Sequence, residues 1–277
     1  MSTAVSANDA PSRGLNKVVA SAAEAVADIP DGASLAVGGF GLAGIPWVLI
    51  GAVLVQGARD LTIVSNNCGV DGAGLGLLLE QGRISRVIAS YIGENKEFAR
   101  QFLAGELTVE LTPQGTLAER MRAGGAGLGA FFTPTGVGTP VAEGGLPWRY
   151  APDGSIAAAS PAKEVRTFHG TPMVLEESIV TDYALIRAAK VDRAGNCVFH
   201  ASARNFNPDA AMAGRVTIVE AEELVEVGEI GPDEVHLPGV FVKRVVALTP
   251  AQAHEKDIEK RTTRGPRPVA AVAEGNE

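Results

Sequence analysis

The sequence has few cysteines and a deficit of positive charge. Its 277 residues include only Cys68 and Cys197, too few for a disulfide framework, which fits a reducing compartment. Lysine and arginine number 24 against 32 aspartate and glutamate residues, a formal net charge of −8. Such a chain offers no general surface for nucleic acid or anionic lipid, so a phosphate-bearing ligand would be held by local amides and a few basic side chains.

Long apolar runs are also missing. Glycine, proline or charge interrupts every apolar stretch before the roughly 18 residues that a transmembrane helix needs. The first residues lack the apolar core of a secretory signal and make a poor organelle presequence. We therefore expect a cytoplasmic protein that does not bind membranes. Apolar residues make up 46% of the chain, which excludes disorder throughout.

The two ends of the chain are expected to be flexible tails, at residues 1–15 and 263–277. The second of these is rich in proline, alanine and charge. Residues 16–262 are expected to form the folded domain.

Helical and strand-like segments alternate over residues 16–135, a pattern typical of a parallel sheet flanked by helices. The predicted strands are 35–37, 61–64, 86–91 and 107–111, and the predicted helices are 16–28, 46–55, 75–80, 96–103 and 116–122. Glycine and proline crowd residues 124–145, which predicts a long loop or several tight turns. Further extended runs are 184–191, 196–200, 216–219 and 240–246, with a hairpin-like turn at 192–195. The predicted fold class is α/β: an open, mostly parallel, doubly wound sheet with an added β-rich lobe whose boundary stays open.

Three predicted strands end in polar or glycine-rich turns. These are the loop after Val37, the turn 65–69 after Val64, and residues 112–115 after Leu111. Because open sheets of this kind bind ligands at the carboxyl ends of their strands, we expect the three turns to form one site.

The loop after Val37 contains the GxGxxG spacing of dinucleotide-binding sites, in Gly39, Gly41 and Gly44. A nicotinamide-dependent oxidoreductase would need an acidic residue about 20 positions further on, to hold the ribose. The chain has Val64 and an Asn-containing turn there instead. We therefore disfavour this alternative, although the glycines still let the backbone pass close to a ligand.

The longer stretch at residues 31–46, DGASLAVGGFGLAGIP, resembles the signature that opens the first of the two subunits of family I coenzyme A transferases. Further blocks resemble the same family in the same order: SNNCGVDGAGLGLLL, SYIGENKEFARQFLAGELTVELTPQGTLAERMRAGGAG, FFTPTGVGT, KVDRAGN and ARNFNPDAAMAG. They lie within residues 16–262. An ordered set of blocks is far more specific than an isolated GxGxxG.

The resemblance implies that CoA moves from succinyl-CoA to a 3-oxoacid such as acetoacetate, through a glutamyl-CoA thioester. A carboxylate nucleophile divides a difficult acyl exchange into easier anhydride and thioester steps. No resident cofactor is implied, because CoA enters as a substrate thioester. Two alternatives stay open, namely 3-oxoadipate as the acceptor and a non-catalytic CoA-binding scaffold.

The resemblance also implies that the nucleophile lies on another chain. In the family it stands in a Ser-Glu-Asn-Gly turn of the second subunit, and the matching turn here, 65–69, has Asn66 in that place. An amide is a poor nucleophile but a good hydrogen-bond partner. We therefore expect no catalytic residue in this chain, and a second CoA-transferase subunit that supplies the glutamate as its partner in a heterodimer or heterotetramer.

The resemblance assigns two sets of binding residues. The glycine loop is expected to contact CoA through Gly38, Gly39, Phe40, Gly41, Leu42, Ala43 and Gly44. The acyl and thioester site is expected to contain Asn66, Asn67 and Gln114, with Gln114 as a neutral donor to the ketoacid.

Several other residues are interpreted as structural. Glu94 is expected in the first turn of the helix at 96–103, facing the helix dipole. Arg120 and Arg122 are expected on a helix surface. The four histidines lack metal-ligand spacing and neither cysteine lies in a CxxC motif, so no metal site is predicted.

Overall fold

The computed structural model of this protein describes residues 16–256. The two expected tails, 1–15 and 263–277, lie outside the described residues, as do residues 257–262 at the expected end of the domain. The bounds of the domain therefore stay predictions.

The described residues form strands and helices in the following order. The strands are β1 (Ser34–Val37), β2 (Leu61–Val64), β3 (Ile84–Ala89), β4 (Thr108–Leu111), β5 (Ala130–Thr133), β6 (Pro147–Tyr150), β7 (Ile156–Ala159), β8 (Val165–Phe168), β9 (Thr171–Glu177), β10 (Thr181–Asp192), β11 (Cys197–Val198), β12 (Gly214–Val225) and β13 (Val242–Ala247). The α-helices are α1 (Ala22–Val26), α2 (Trp47–Gln56), α3 (Gly76–Glu80), α4 (Lys96–Leu103), α5 (Gln114–Gly125), α6 (Pro140–Glu143), α7 (Asn207–Ala213) and α8 (Pro250–His254). Short 3₁₀ turns lie at Ala201–Arg204, Pro232–Glu234 and Gly239–Phe241.

The main sheet winds outward in both directions from β1. Its strand order is β13-β12-β10-β1-β2-β3-β4, and each of these pairs is parallel. The order reverses between β1 and β10, and open α/β sheets bind ligands at such a reversal point. This topology confirms the predicted doubly wound α/β fold. The predicted hairpin is also present, because β11 pairs antiparallel with β10.

Two apolar cores cover the two faces of the sheet. Helices α1 to α4 pack on one face with Leu35 and Ile63, and α5 and α7 pack on the other with Ala36 and Val64. Successive residues of a strand point to opposite faces, so one strand contributes to both cores. Burial on both faces explains why these strands read as short continuous apolar runs.

An antiparallel lobe is inserted between α5 and β10. It contains a three-stranded sheet of order β5-β9-β8 and the ribbon β6-β7. The predicted extended runs at 184–191, 196–200, 216–219 and 240–246 do not belong to this lobe. They contain strands of the main sheet, β10 to β13. The prediction of loops over residues 124–145 was wrong for β5 and α6. Strand β9, a partner distant in sequence, pairs with β5 from Ala130↔Glu177 onward, and Thr139 caps the short helix α6.

The first helix is shorter than predicted. Ser21 caps it by accepting a hydrogen bond from the Glu24 amide at 3.1 Å, so the helix covers only the residues of α1. The residues before it extend along β13, where the Val19 amide donates to the Val245 carbonyl. A strand neighbour from the far end of the chain therefore replaces the predicted helical turns.

Two further findings concern the described residues only. Between residues 16 and 256, no helix is long and apolar enough to cross a membrane. Over the same range, no three His, Cys, Asp or Glu side chains are grouped so that they could hold a metal ion.

Candidate functional site

The glycine loop leaves the sheet at the reversal point between β1 and β10. The Gly38 amide donates to the Leu185 carbonyl of β10 at 3.0 Å. Phe40 and Ala43 then exchange two backbone hydrogen bonds of 3.0 Å, which close a tight turn. Gly41, at the tip, has a φ of 59°, a conformation that glycine adopts without steric cost.

Asn207 of α7 packs directly against this loop. A Cβ atom at Gly38 would lie 2.0 Å from Asn207 Oδ1, so only glycine fits there. The buried Asn207 side chain donates to the Gly44 carbonyl at 3.0 Å and accepts from the Arg187 amide at 3.1 Å. Asn207 therefore ties the loop to β10. The sequence prediction missed this residue, although it lies in the family-like block ARNFNPDAAMAG.

Asn66 and Gln114 are in contact at the carboxyl edge of the sheet. The Asn66 side-chain oxygen accepts from Gln114 Nε2 and from Ser90 Oγ, each at 2.7 Å. Asn66 follows β2, Ser90 follows β3, and Gln114 begins α5 just after β4. We call these three residues the amide cluster. Asn66 is 1% exposed, whereas Gln114 is exposed, so the cluster connects the interior to the surface.

Asn67 connects the amide cluster to the glycine loop. Its buried Oδ1 accepts from the Gly41 amide at 3.1 Å. The residues of the loop differ in exposure, because Phe40 is 48% exposed whereas Leu42 is buried against the Gly74 turn. The glycine loop and the turn at residues 65–69 thus form one continuous structure. Phe40 is exposed on it, and Leu42 contributes to its packing.

A carboxylate of the protein itself occupies the first turn of α2. Glu220 is fully buried, accepts from the Leu49 amide at 3.0 Å and pairs with Arg187 at 3.2 Å. Burial raises the pKa of Glu220, and the Leu49 amide and Arg187 oppose this rise because they stabilise the ionised form. Dinucleotide sites place the pyrophosphate at the N-terminus of the helix that follows the glycine loop. The internal carboxylate is a second observation against dinucleotide binding.

The interpretation of Glu94 as a first-turn residue was wrong. Asn95 caps α4, because its side chain accepts from the Phe98 amide at 2.8 Å and the helix begins at Lys96. Glu94 therefore precedes the cap and lies in an exposed turn. Cys68, in the turn after β2, is fully buried, and burial raises the pKa of its thiol, which opposes a nucleophilic role.

The interpretation of Arg120 as a surface residue was also wrong. Arg120 is buried, and it donates to a Glu110 carboxylate oxygen at 2.7 Å and to the Glu177 carbonyl at 2.8 Å. The lobe covers this side of α5, which no local pattern in the sequence indicates. Arg122 is exposed as predicted and pairs with Glu119.

These features define an α/β protein with a candidate ligand site at the point where the strand order of the sheet reverses. The chain belongs to the coenzyme A transferase family, since the family model "Coenzyme A transferase" matches residues 19–248. This match confirms the family resemblance found in the sequence.

Relatives of this chain carry a common name. A protein of Mycobacterium tuberculosis, named as the A subunit of a "Probable succinyl-CoA:3-ketoacid coenzyme A transferase", is 63% identical over 251 residues, covering 90% of this chain and 100% of the relative. A Bacillus subtilis protein of the same name is 54% identical, covering 90% of this chain and 95% of the relative. Human "Succinyl-CoA:3-ketoacid coenzyme A transferase 2, mitochondrial" is 53% identical over 89% of this chain, which spans only 47% of that relative.

Solved structures share the fold. An acyl-CoA transferase of Escherichia coli O157:H7 superposes with a TM-score of 0.71 at 24% identity, over 88% of this chain and 50% of that chain. Glutaconate coenzyme A-transferase of Acidaminococcus fermentans superposes with a TM-score of 0.69 at 25% identity, over 87% of this chain and 78% of that chain.

Proposed function

We propose that this chain is the first subunit of a two-subunit enzyme that moves CoA from succinyl-CoA to a 3-oxoacid such as acetoacetate. The contact between Asn66 and Gln114 carries the proposal, because it places two neutral amides beside the glycine loop at the reversal point of the sheet. The names of the bacterial relatives support the same reaction. The cytoplasmic location and the hetero-oligomeric state stay predictions.

The amide cluster binds the acyl group in this proposal. The Asn66 side-chain oxygen already accepts two hydrogen bonds of 2.7 Å. The NH₂ group of Asn66 is therefore the part of the side chain that we assign to a substrate oxygen. Gln114 is exposed and neutral, so it can donate to a ketone or a carboxylate without ionising itself. Oriented donors of this kind stabilise a thioester oxygen that gains negative charge during the reaction.

The glycine loop binds CoA in the same proposal. Its backbone makes a tight turn, and Gly41 has no side chain to hold a ligand away. The first turn of α2 is already occupied by Glu220, so we assign the loop to the pantetheine and thioester part of CoA rather than to its phosphates. Binding energy from this remote part of the substrate can then assist the reacting centre.

The nucleophilic carboxylate is proposed to come from the second subunit. Three buried glutamates of the described residues each bond to a basic side chain: Glu110 to Arg120, Glu176 to Lys163, and Glu220 to Arg187. A carboxylate held in this way is unsuited to attack a thioester. The half of the human relative that lies outside the match is proposed to correspond to the second subunit.

The test is reconstitution with the product of the neighbouring reading frame that contains a Ser-Glu-Asn-Gly turn. We expect CoA transfer from succinyl-CoA to acetoacetate when the two chains are mixed, and no transfer by either chain alone. A non-catalytic scaffold would leave the mixture inactive. Tight NAD binding without any response to CoA would favour the oxidoreductase alternative and contradict the proposal.

A further inference from the structure

An open depression of 320 Å³ adjoins the amide cluster. Phe40 of the glycine loop, Gln114 of α5 and Asp209 of α7 line it, together with Phe206. Gln114 also bonds to the buried Asn66, so it belongs to both the cluster and the wall of the depression. A ligand that extends outward from Asn66 past Gln114 therefore enters this depression.

Asp209 is a carboxylate without an ion pair among the residues that the structure describes. The charged groups that face it are Glu119 and Arg122 from α5, and Arg204 from the 3₁₀ turn before α7. Arg122 is held by Glu119 through two hydrogen bonds of 2.9 and 2.5 Å. Burial and the charge of Glu119 raise the pKa of Asp209 to about 6, with the two arginines acting in the opposite direction. Neither arginine lines the depression, and Asp209 is the charged residue among those that do, so the wall of the depression carries a negative charge at neutral pH.

We propose that Asp209 selects the acceptor by charge, disfavouring 3-oxoacids that end in a second carboxylate and admitting those that end in an apolar group. The inference rests on the proposed function, in which the acyl group lies at Asn66 and Gln114. The aromatic ring of Phe40 forms an apolar part of the same wall, which suits a methyl end. Repulsion of the wrong ligand is a common route to specificity.

Succinyl-CoA, the CoA donor, is compatible with the negative charge of Asp209 because its succinyl group is short. The free carboxylate of a succinyl group is two carbons nearer the thioester than the second carboxylate of 3-oxoadipate. The shorter group ends at the neutral donor Gln114, and the longer one continues into the depression towards Asp209. The same carboxylate can therefore leave succinyl-CoA unaffected and oppose 3-oxoadipate.

The experiment compares acetoacetate with 3-oxoadipate as acceptors for the complex with the second subunit. Asp209→Asn removes the charge at constant size, and we expect the ratio of kcat/KM values to shift towards 3-oxoadipate by about fivefold or more. Asp209→Lys inverts the charge and should shift the ratio further. Asp233→Asn, at an exposed aspartate in the 3₁₀ turn Pro232–Glu234, is the matched control and should leave the ratio unchanged.

A pH series tests the inference without any variant. Protonation of Asp209 removes its charge, so the wild-type preference for acetoacetate should weaken from about pH 7.5 to about pH 5, across the Asp209 pKa of about 6. Asp209→Asn should show no such change. If the wild type transfers CoA but the ratio responds neither to Asp209→Asn nor to pH, the inference is overturned. If the wild-type complex transfers CoA to neither acid, the proposed function itself fails.

Discussion

Two polar regions of this protein differ in charge although β4 and α5 connect them. The amide cluster at the carboxyl edge of the sheet is neutral and joined by hydrogen bonds of 2.7 Å. Beneath the lobe lies the ion-pair cluster, in which every group is charged: Arg86, Glu110, Arg120, Lys163 and Glu176. Charge is thus concentrated where the lobe meets the sheet, whereas the amide cluster, which we assign to the acyl group, is left neutral.

The difference shows what each region can do. Both carboxylate oxygens of Glu110 have a cation at 2.7 Å, Arg120 on one and Arg86 on the other. Losing one of these partners leaves one oxygen of a buried carboxylate without its donor and the charge less well compensated, so the cluster fixes structure. The amide cluster loses only neutral hydrogen bonds when it is altered. It can therefore exchange partners with a substrate at modest cost in stability.

The largest effect on stability is expected at Arg120. Arg120→Met leaves Glu110 with fewer partners under the lobe, and we expect the free energy of unfolding to fall by about 3–5 kcal/mol. Arg122→Met, two residues later on the same helix, breaks only an exposed pair and should cost less than about 1 kcal/mol. Urea unfolding of both variants measures the difference. Equal losses would contradict the distinction between buried and exposed pairs.

A second large effect is expected at the glycine loop. Gly38→Ala places a Cβ atom 2.0 Å from Asn207 Oδ1, so we expect a loss of about 3 kcal/mol in thermal or urea unfolding. Gly51→Ala, within α2 and with no atom within 4 Å of the new Cβ, should stabilise the protein by about 0.5–1 kcal/mol. A Gly38→Ala variant as stable as the wild type would show that the loop is not held as described.

Substitutions in the amide cluster should lower the enzymatic activity rather than the stability of the protein. Gln114→Ala removes an exposed donor, so we expect an unchanged unfolding transition and a CoA transfer rate lower by about 10- to 100-fold in the complex with the second subunit. Gln81→Ala, at the exposed end of α3, is the matched control and should leave the rate unchanged. A normal rate with Gln114→Ala would separate Gln114 from the reaction.

The smallest effect is expected for the dependence of the free energy of unfolding on acidic pH. Burial would raise the pKa of Glu110, but Arg120 and Arg86 outweigh it and the pKa is lowered. A carboxyl group with a lowered folded-state pKa stabilises the protein above its unfolded value of about 4.3, and that stability is lost as the pH falls through the folded value. The free energy of unfolding should therefore decline below about pH 4.3, less steeply in Glu110→Gln. Gln114→Ala should follow the wild-type curve, and identical curves for all three proteins would contradict the role of Glu110.

The sequence alone indicates the neutral region better than the charged one. Asn66 and Gln114 could be predicted together because both follow strands of a parallel sheet, whose carboxyl ends meet at one edge. The glycine loop could be predicted from its own local composition. The strands β2 and β3, which bring Asn66 and Ser90 together, are close in sequence and run in the order expected of a doubly wound sheet.

The partners from distant segments could not be predicted. Asn207 reaches the loop, and Glu220 reaches the first turn of α2, only because β10 and β12 continue the sheet on the far side of β1. Nothing in the local sequence specifies those neighbours. Arg120 has the helical setting of a surface residue until the lobe covers it. The position of Asp209 could not be predicted either, because its place beside Gln114 depends on the packing of α7 against α5.

The proposal that the second subunit supplies the nucleophile and this chain supplies binding is tested most directly by locating the covalent intermediate. The reconstituted complex is incubated with succinyl-CoA and treated with borohydride, which reduces a glutamyl thioester and labels that residue, and both chains are then mapped by peptide mass spectrometry. We predict the modification on the glutamate of the Ser-Glu-Asn-Gly turn in the second subunit and none on this chain. Modification of Glu94, or of any other carboxylate of this chain, would contradict the assignment of this chain to binding.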